Sequence, residues 1–128
     1  LYKYKDTNEL YFKHQNDEII KIVNEWGSSP IFDYSNSFDN YSFTNQSFAI
    51  EKQPEGHYLL AVKISDYDGQ TTIINWEIHW INSDGVIDYT KNKFVSNTDL
   101  NEKPFNQDLN NDGGISSGPL DIEVDLLG

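Results

Sequence analysis

The chain contains no cysteine, no methionine and no arginine, and its only permanently cationic side chains are nine lysines. Without a thiol there can be no disulfide, no cysteine nucleophile and no thiolate metal site, whether the chain resides in an oxidising or a reducing compartment. The scarcity of cations excludes a second class of partner. Against those lysines stand 13 Asp and 8 Glu, for a formal net charge of −12. A surface this negative repels phosphate backbones and anionic lipid headgroups, which are gathered by clustered Lys and Arg. No apolar run approaches the roughly 18 to 20 residues that cross a bilayer, and the start, Leu1-Tyr2-Lys3-Tyr4-Lys5, has no apolar signal-like core. Neither nucleic-acid binding nor membrane insertion is expected. The length of 128 residues predicts one domain spanning 1–128, enough to bury one core. The absence of Met, even at the first position, is read as the mark of a piece processed or cut from a longer chain, with a mature exported polypeptide as the best fit.

What is present is strand-forming pattern. Tyr58, Leu60, Val62 and Ile64 fall on every second position, as do Ile74, Trp76, Ile78 and Trp80. Period-2 alternation of this kind marks half-buried strands. If both stripes share a face, Tyr58 opposes Trp80, Leu60 opposes Ile78, Val62 opposes Trp76 and Ile64 opposes Ile74, with Asp66-Tyr67-Asp68-Gly69 in the connection. Asn82-Ser83-Asp84-Gly85 then closes a second hairpin, in which Trp80 meets Ile87 and Ile78 meets Tyr89. Residues 57–90 are thus expected to form a three-stranded meander within an all-β antiparallel sheet or sandwich.

The flanking regions read less sharply. Leu10 and Phe12 precede the turn His14-Gln15-Asn16-Asp17, and Ile19-Ile20 and Ile22-Val23 favour a strand over a short helix. Residues 27–46, rich in Ser, Asn, Asp and aromatics, are expected to form a long ordered loop. Leu120, Ile122, Val124 and Leu126 alternate with Asp121, Glu123 and Asp125, predicting a terminal amphipathic strand over 120–126. Lys3 and Lys5 alternate with Tyr2 and Tyr4, so the two ends are complementary in charge and period. They are expected to pair, within one chain or between successive chains.

The sharpest motif is Asp108-Leu109-Asn110-Asn111-Asp112-Gly113-Gly114-Ile115. Oxygen side chains at positions 1, 3 and 5, glycine at 6 and a backbone carbonyl at 7 are what a hard cation such as Ca²⁺ requires. Those positions are Asp108, Asn110, Asp112, Gly113 and Gly114, with Ile115 expected to anchor the loop to the core. Position 12 is Pro119 instead of a bidentate acid, and Pro104 and Pro119 leave no room for flanking helices. An EF-hand is therefore rejected in favour of a helix-free calcium loop over 108–115. Its completing carboxylate would be Asp121, Glu123, Asp99 or Glu102. The competing reading is a run of Asx-turns in which the same side chains bond their own backbone.

Other constellations are weaker. His14, His57 and His79 lack metal-ligand spacing. His79 faces Asp88 in the register above, a hydrogen-bonded or charge pair that also resembles part of a hydrolase triad, but no nucleophile motif accompanies it. The reading is therefore of a domain that is not an enzyme. Trp26, Tyr34, Tyr41 and Tyr67 lie in or beside polar loops and could form a stacking platform for sugar rings, or else latch those loops to the core.

The stretches His57 to Lys63, Trp76-Glu77-Ile78, Gly85-Val86-Ile87-Asp88 and above all Phe105-Asn106-Gln107-Asp108-Leu109-Asn110-Asn111-Asp112-Gly113 resemble the tryptophan-rich C-terminal domains of secreted cyanobacterial proteins. Such domains often occur in tandem and in proteins that carry calcium-binding repeats. The likeness covers about residues 1–118. Asn111 departs from the small residue usual within the run. The resemblance implies an extracellular or cell-surface setting and no catalytic activity. Taken together, the sequence predicts a calcium-stabilised structural or adhesive domain of a secreted surface protein or fibre, joined to neighbours through its terminal strands. A carbohydrate-binding module is the alternative.

Overall fold

The computed structural model describes residues 2–3, 9–14 and 17–118, the first two by backbone alone. The fold is all-β, and every pairing between its strands is antiparallel. A small sheet has the order β1 (Tyr2–Lys3), β2 (Leu10–Lys13) and β3 (Ile19–Lys21). A larger one follows chain order through β4 (Tyr34–Phe38), β5 (Tyr41–Lys52), β6 (Tyr58–Tyr67), β7 (Thr72–Ile81) and β8 (Ile87–Ser96). After β8 the chain makes one short 3₁₀ turn, Lys103–Phe105, with Pro104 inside it, so no helix flanks the 108–115 loop on its N-terminal side. Among the described residues no helix is long and apolar enough to cross a membrane.

The expected meander is present as β6-β7-β8, but its register is shifted by one residue. Tyr58 opposes Ile81, Leu60 opposes His79, Val62 opposes Glu77 and Ile64 opposes Asn75. A one-residue shift moves a whole stripe to the other face. The Tyr58, Leu60 and Val62 stripe and the Trp76, Ile78 and Trp80 stripe therefore lie on opposite sides of the sheet. The turn fixes this register. Asp68 N–H donates to the Thr71 carbonyl at 3.2 Å, and the Asp68 carboxylate accepts the N–H groups of Gln70 and Thr71, leaving only residues 68–71 to cross between strands. Both stripes can be apolar because both faces are covered. Leu60, Ala61 and Val62 are buried in succession, as sheets sandwiched between two layers require.

On one face, Tyr58, Leu60, Val62, Ile81 and Ile87 pack with Leu10, Phe12, Ile22 and Phe32, so the small sheet and the strap leading to β4 form the cover. On the other, Ala49, Ala61 and Trp76 pack with Leu100, Phe105 and Leu109 of the C-terminal segment. Trp76 is fully buried and donates its indole N–H to Asn97 Oδ1 at 2.7 Å, tying that cover to the sheet. Trp80 is only half-buried, between the His57 ring at 4.6 Å and the Lys91 ammonium at 4.0 Å.

The second hairpin also departs from expectation. Trp80 opposes Asp88 and Ile81 opposes Ile87, after which Ile78 opposes Lys93. Residues 89–92 thus bulge opposite His79 alone, so His79 does not face Asp88. Asn82 shapes the turn by accepting the N–H groups of Asp84 and Val86. Gly85, at φ +90°, packs so tightly on the small sheet that a Cβ would collide with the Lys21 carbonyl oxygen. Its own carbonyl accepts Val23 N–H, and Val23 in turn accepts Ile87 N–H, both at 2.9 Å, forming a parallel bridge between the strap and the hairpin.

Residues 27–46 are not one long loop. Tyr34–Phe38 and Tyr41–Asn45 form a two-residue hairpin with Asp39 at φ 51°, the left-handed conformation such a turn demands. Composition misled here because every residue from 34 to 38 is exposed, so no apolar stripe marks the strand. The N-terminal strand β1 pairs with β2, Tyr2 opposite Tyr11 and Lys3 opposite Leu10. The predicted strand over 120–126, and with it Asp121 and Glu123, lies outside the described residues, as do Tyr4, Lys5 and Pro119.

Candidate functional site

The C-terminal segment folds around one buried acid. Glu102 is fully buried, and its carboxylate accepts three backbone N–H groups: Leu109 and Asn110 (3.1 Å) on one oxygen and Ser116 (2.9 Å) on the other. Its own N–H donates to the Ser116 carbonyl at 2.7 Å, and its carbonyl accepts Phe105 N–H at 3.0 Å. Glu102 therefore stitches both ends of the 108–115 loop together. The antiparallel bridge between Asn101 and Ser117 closes the base.

Within the loop the Asx-turns are made. Asp108 accepts the N–H groups of Asp112 (3.2 Å) and Gly113 (2.9 Å), Asn110 Oδ1 accepts Asp112 N–H at 3.3 Å, and Asp112 accepts Gly114 N–H at 3.1 Å. Asn110 Nδ2 donates to the Asn97 carbonyl at 3.0 Å, fixing which edge of the amide faces the loop. The Asp108 carboxyl lies below the usual carboxylate range. Desolvation opposes this shift, but the N–H groups of Gly113, Asp112 and Asn111 outweigh it. Asn111 at φ 59° and Gly113 at φ +97° turn the backbone so that these amides converge.

These bonds bring Glu102, Asp108 and Asp112 together, each offering a carboxylate oxygen within 4.8 Å of the others. Among the described residues no Lys or His forms an ion pair with any of them. Three carboxylates so close and so unbalanced in charge repel one another, and an oxygen-only donor set suits a hard divalent cation. Of the two candidate completing acids that lie among the described residues, Glu102 is the one brought to the loop, while Asp99 is exposed and its N–H donates to Ser96 Oγ. Ile115 does not anchor the loop, being 45% exposed. Leu109 does so instead, because the Glu102 carboxylate holds its N–H and draws its side chain into the core beside Phe105.

The aromatic residues separate into three places. Trp26 sits in the 24–28 turn, 76% exposed, and no ring contact joins it to Tyr34 or Tyr41 among the described residues. Tyr67 opposes Ser42 and so lies on the other face of the sheet from Tyr34 and Tyr41. Tyr34 and Tyr41 do come together, each against Phe43, at centroid distances of 5.6 and 6.2 Å. Phe38 joins them, 5.5 Å from Tyr41. Phe38 and Phe43 were not singled out by sequence, although Tyr41-Ser42-Phe43-Thr44 alternates aromatic with hydroxyl, the signal that would have found them.

His79 is buried, with Nε2 3.2 Å from Glu77 Oε1, the Phe32 ring edge-on at 4.9 Å and Tyr89 at 6.4 Å. Asp88 instead accepts the N–H and hydroxyl of Thr90, so a His79–Asp88 dyad is not formed. No family model matches the chain, and neither does any curated protein or solved structure.

Proposed function

We propose that this chain is a calcium-stabilised structural domain of a secreted or cell-surface protein, in which residues 108–115 form a helix-free cation loop completed by Glu102. The observation that carries this reading is the approach of Glu102, Asp108 and Asp112 to within 4.8 Å, with no Lys or His among the described residues in an ion pair with them. Asn110 and the Gly114 carbonyl would supply the remaining oxygens, as loop positions 3 and 7 do in other calcium loops. The ion's part is structural. Binding would offset carboxylate repulsion and lock the segment whose Leu109 and Phe105 cover one face of the sheet, so occupancy and folding are coupled. The resemblance of residues 105–113 to calcium-associated surface domains supports the same reading, as does the strongly negative net charge.

In this proposal the domain acts by joining neighbours and not by catalysis. Among the described residues β1 is paired on one side only, to β2, and the apolar-acidic alternation over 120–126 offers a strand to a neighbouring edge. Thermal unfolding in millimolar CaCl₂ against EDTA tests the ion. At about 1 mM calcium an extracellular-type site, with a dissociation constant of roughly 10⁻⁴ to 10⁻³ M, contributes about 0.4 to 1.4 kcal/mol. The melting temperature should rise with calcium and lose that response in Asp108→Asn and Asp112→Asn. An identical melting temperature in both buffers removes the cation loop. Sedimentation velocity in calcium tests assembly, and a monomer at every concentration ends that part of the reading.

A further inference from the structure

Among the described residues, the small sheet and the strap cover only about half the length of their face of the large sheet. The strap from Ile22 to Asp33 ends where the Asp33 carboxylate accepts the N–H and hydroxyl of Ser47, at 2.9 and 2.6 Å. Beyond the row Ser47, Val62, Glu77 and Phe94, that face continues to the hairpin tips, and strand register places Tyr34, Phe38, Tyr41, Phe43, Ile73 and Phe94 on it. Phe38 is 60% exposed and Phe94 65%, and Tyr34, Tyr41 and Ile73 are exposed as well. Five large apolar side chains exposed on one sheet face mark an interaction surface more often than chance exposure does.

The groups interleaved with these rings say what partner fits. One row across the strands reads Tyr34, Asn45, Ile64, Asn75 and Ser96, and the next reads Asn36, Phe43, Asp66 and Ile73. Apolar surface thus alternates with amide, carboxylate and hydroxyl groups, and register places no lysine on this half of the face. The rings are also held in place. Asn45 Nδ2 donates to the Tyr34 hydroxyl at 3.2 Å, the Tyr41 hydroxyl donates to Asp66 at 2.9 Å, and Tyr34 meets Phe43 edge-on. Preorganised rings spare a ligand the cost of ordering them.

We propose that this uncovered half of the sheet binds a neutral polysaccharide lying across the strands. The apolar C–H faces of pyranose rings would stack on Tyr34, Phe38 and Phe94, while vicinal hydroxyls bond Asn36, Asn45, Asn75 and Asp66. Strands about 4.8 Å apart present one side chain per sugar residue to a chain running across them. Charge selects this occupant. Asp66 and Glu77, with no lysine beside them on this half of the face, oppose anionic polysaccharides and nucleic acids, and this face pressed on its own copy would set those carboxylates against one another. This site is independent of the cation loop, which lies on the opposite face.

Affinity electrophoresis through soluble β-glucan, α-glucan and mannan, with cellulose pull-down and alginate as the anionic comparison, tests the proposal. Retardation or retention is expected on at least one neutral polymer and not on alginate. Tyr34→Ala and Phe94→Ala should each weaken binding at least tenfold, Tyr34→Phe should retain it, and Trp26→Ala and Tyr67→Ala, both off the face, should leave it unchanged. Circular dichroism on each variant separates lost binding from lost fold, and both truncated residues are exposed. Binding to none of the neutral polymers overturns the proposal, as does binding insensitive to both truncations or equal binding to alginate. A concentration-dependent dimer abolished by Phe94→Ala overturns it in favour of a second copy, and the same loss on removing residues 119–128 assigns the face to that segment.

Discussion

The two ends of the large sheet share strands β5 to β8 and one hydrogen-bond ladder, yet one end is buried on both faces while toward the other exposure rises on both. At the covered end Leu60, Ala61, Trp76 and Ile81 are fully excluded from water; at the far end all of β4 and most of β5 from Tyr41 to Ser47 are partly or fully exposed. The comparison teaches that alternation creates a strand but not a core. Burial arises where the N-terminal sheet and the C-terminal segment reach: the strap ends at Ser47 on one face, and on the other the C-terminal segment extends as far as Val95 and Ile74. Stability should therefore be concentrated at the covered end, with the far end carried by its ladder and ring contacts.

Substitutions can break this contrast, and the largest effect should come from the doubly covered end. Leu60→Ala empties a site with no solvent exposure and should cost about 4 kcal/mol, lowering the melting temperature by more than about 10 °C in calorimetry. A cost below about 1 kcal/mol would mean that the small sheet does not cover this face in solution. Gly85→Ala should follow at roughly 3 kcal/mol in urea unfolding, since positive φ and the Lys21 carbonyl both refuse a Cβ.

Burial and pH sharpen the comparison further. His79 sits at the covered end, and burial holds its pKa below the ordinary value despite the facing Glu77 carboxylate and the Asn92 side chain. The unfolded chain then binds more protons than the folded one once pH drops below about 6.5. Its contribution is present above that pH and is lost as pH falls from there through the folded value. Urea midpoints measured between pH 7.5 and 5 should decline accordingly, and His79→Gln should flatten the decline. At the far end, Ile73→Ser and Phe94→Ala should each change stability by less than about 0.5 kcal/mol, because neither uncovers a packed neighbour.

Much of this architecture was legible in the sequence because local chemistry left few choices. The alternation in residues 58–64 and 74–80 required strands, Asp68-Gly69 and Asn82 through Gly85 required turns, and Asp108, Asn110 and Asp112 with Gly113 required a tight oxygen-lined loop. Register was not legible. Placing both apolar stripes on one face assumes a single core, whereas the turn capped by Asp68 and the presence of covers on both sides give each stripe a core of its own. The hairpin of β4 and β5 escaped notice because its strands bury almost nothing, and hydrophobic contrast is the signal by which strands are read.

The role of Glu102 illustrates the same divide. By itself the sequence determined strand content, turn positions and the spacing of oxygen donors, all properties of residues within a few positions of one another. Only tertiary structure decided that Glu102 and not Asp99 reaches Asp108 and Asp112, that Leu109 and not Ile115 enters the core, and that Tyr34, Tyr41 and Phe94 share one open face. Those outcomes depend on non-local packing. A buried carboxylate must find backbone N–H groups wherever the fold supplies them, and an aromatic face stays open only where no other segment arrives to cover it.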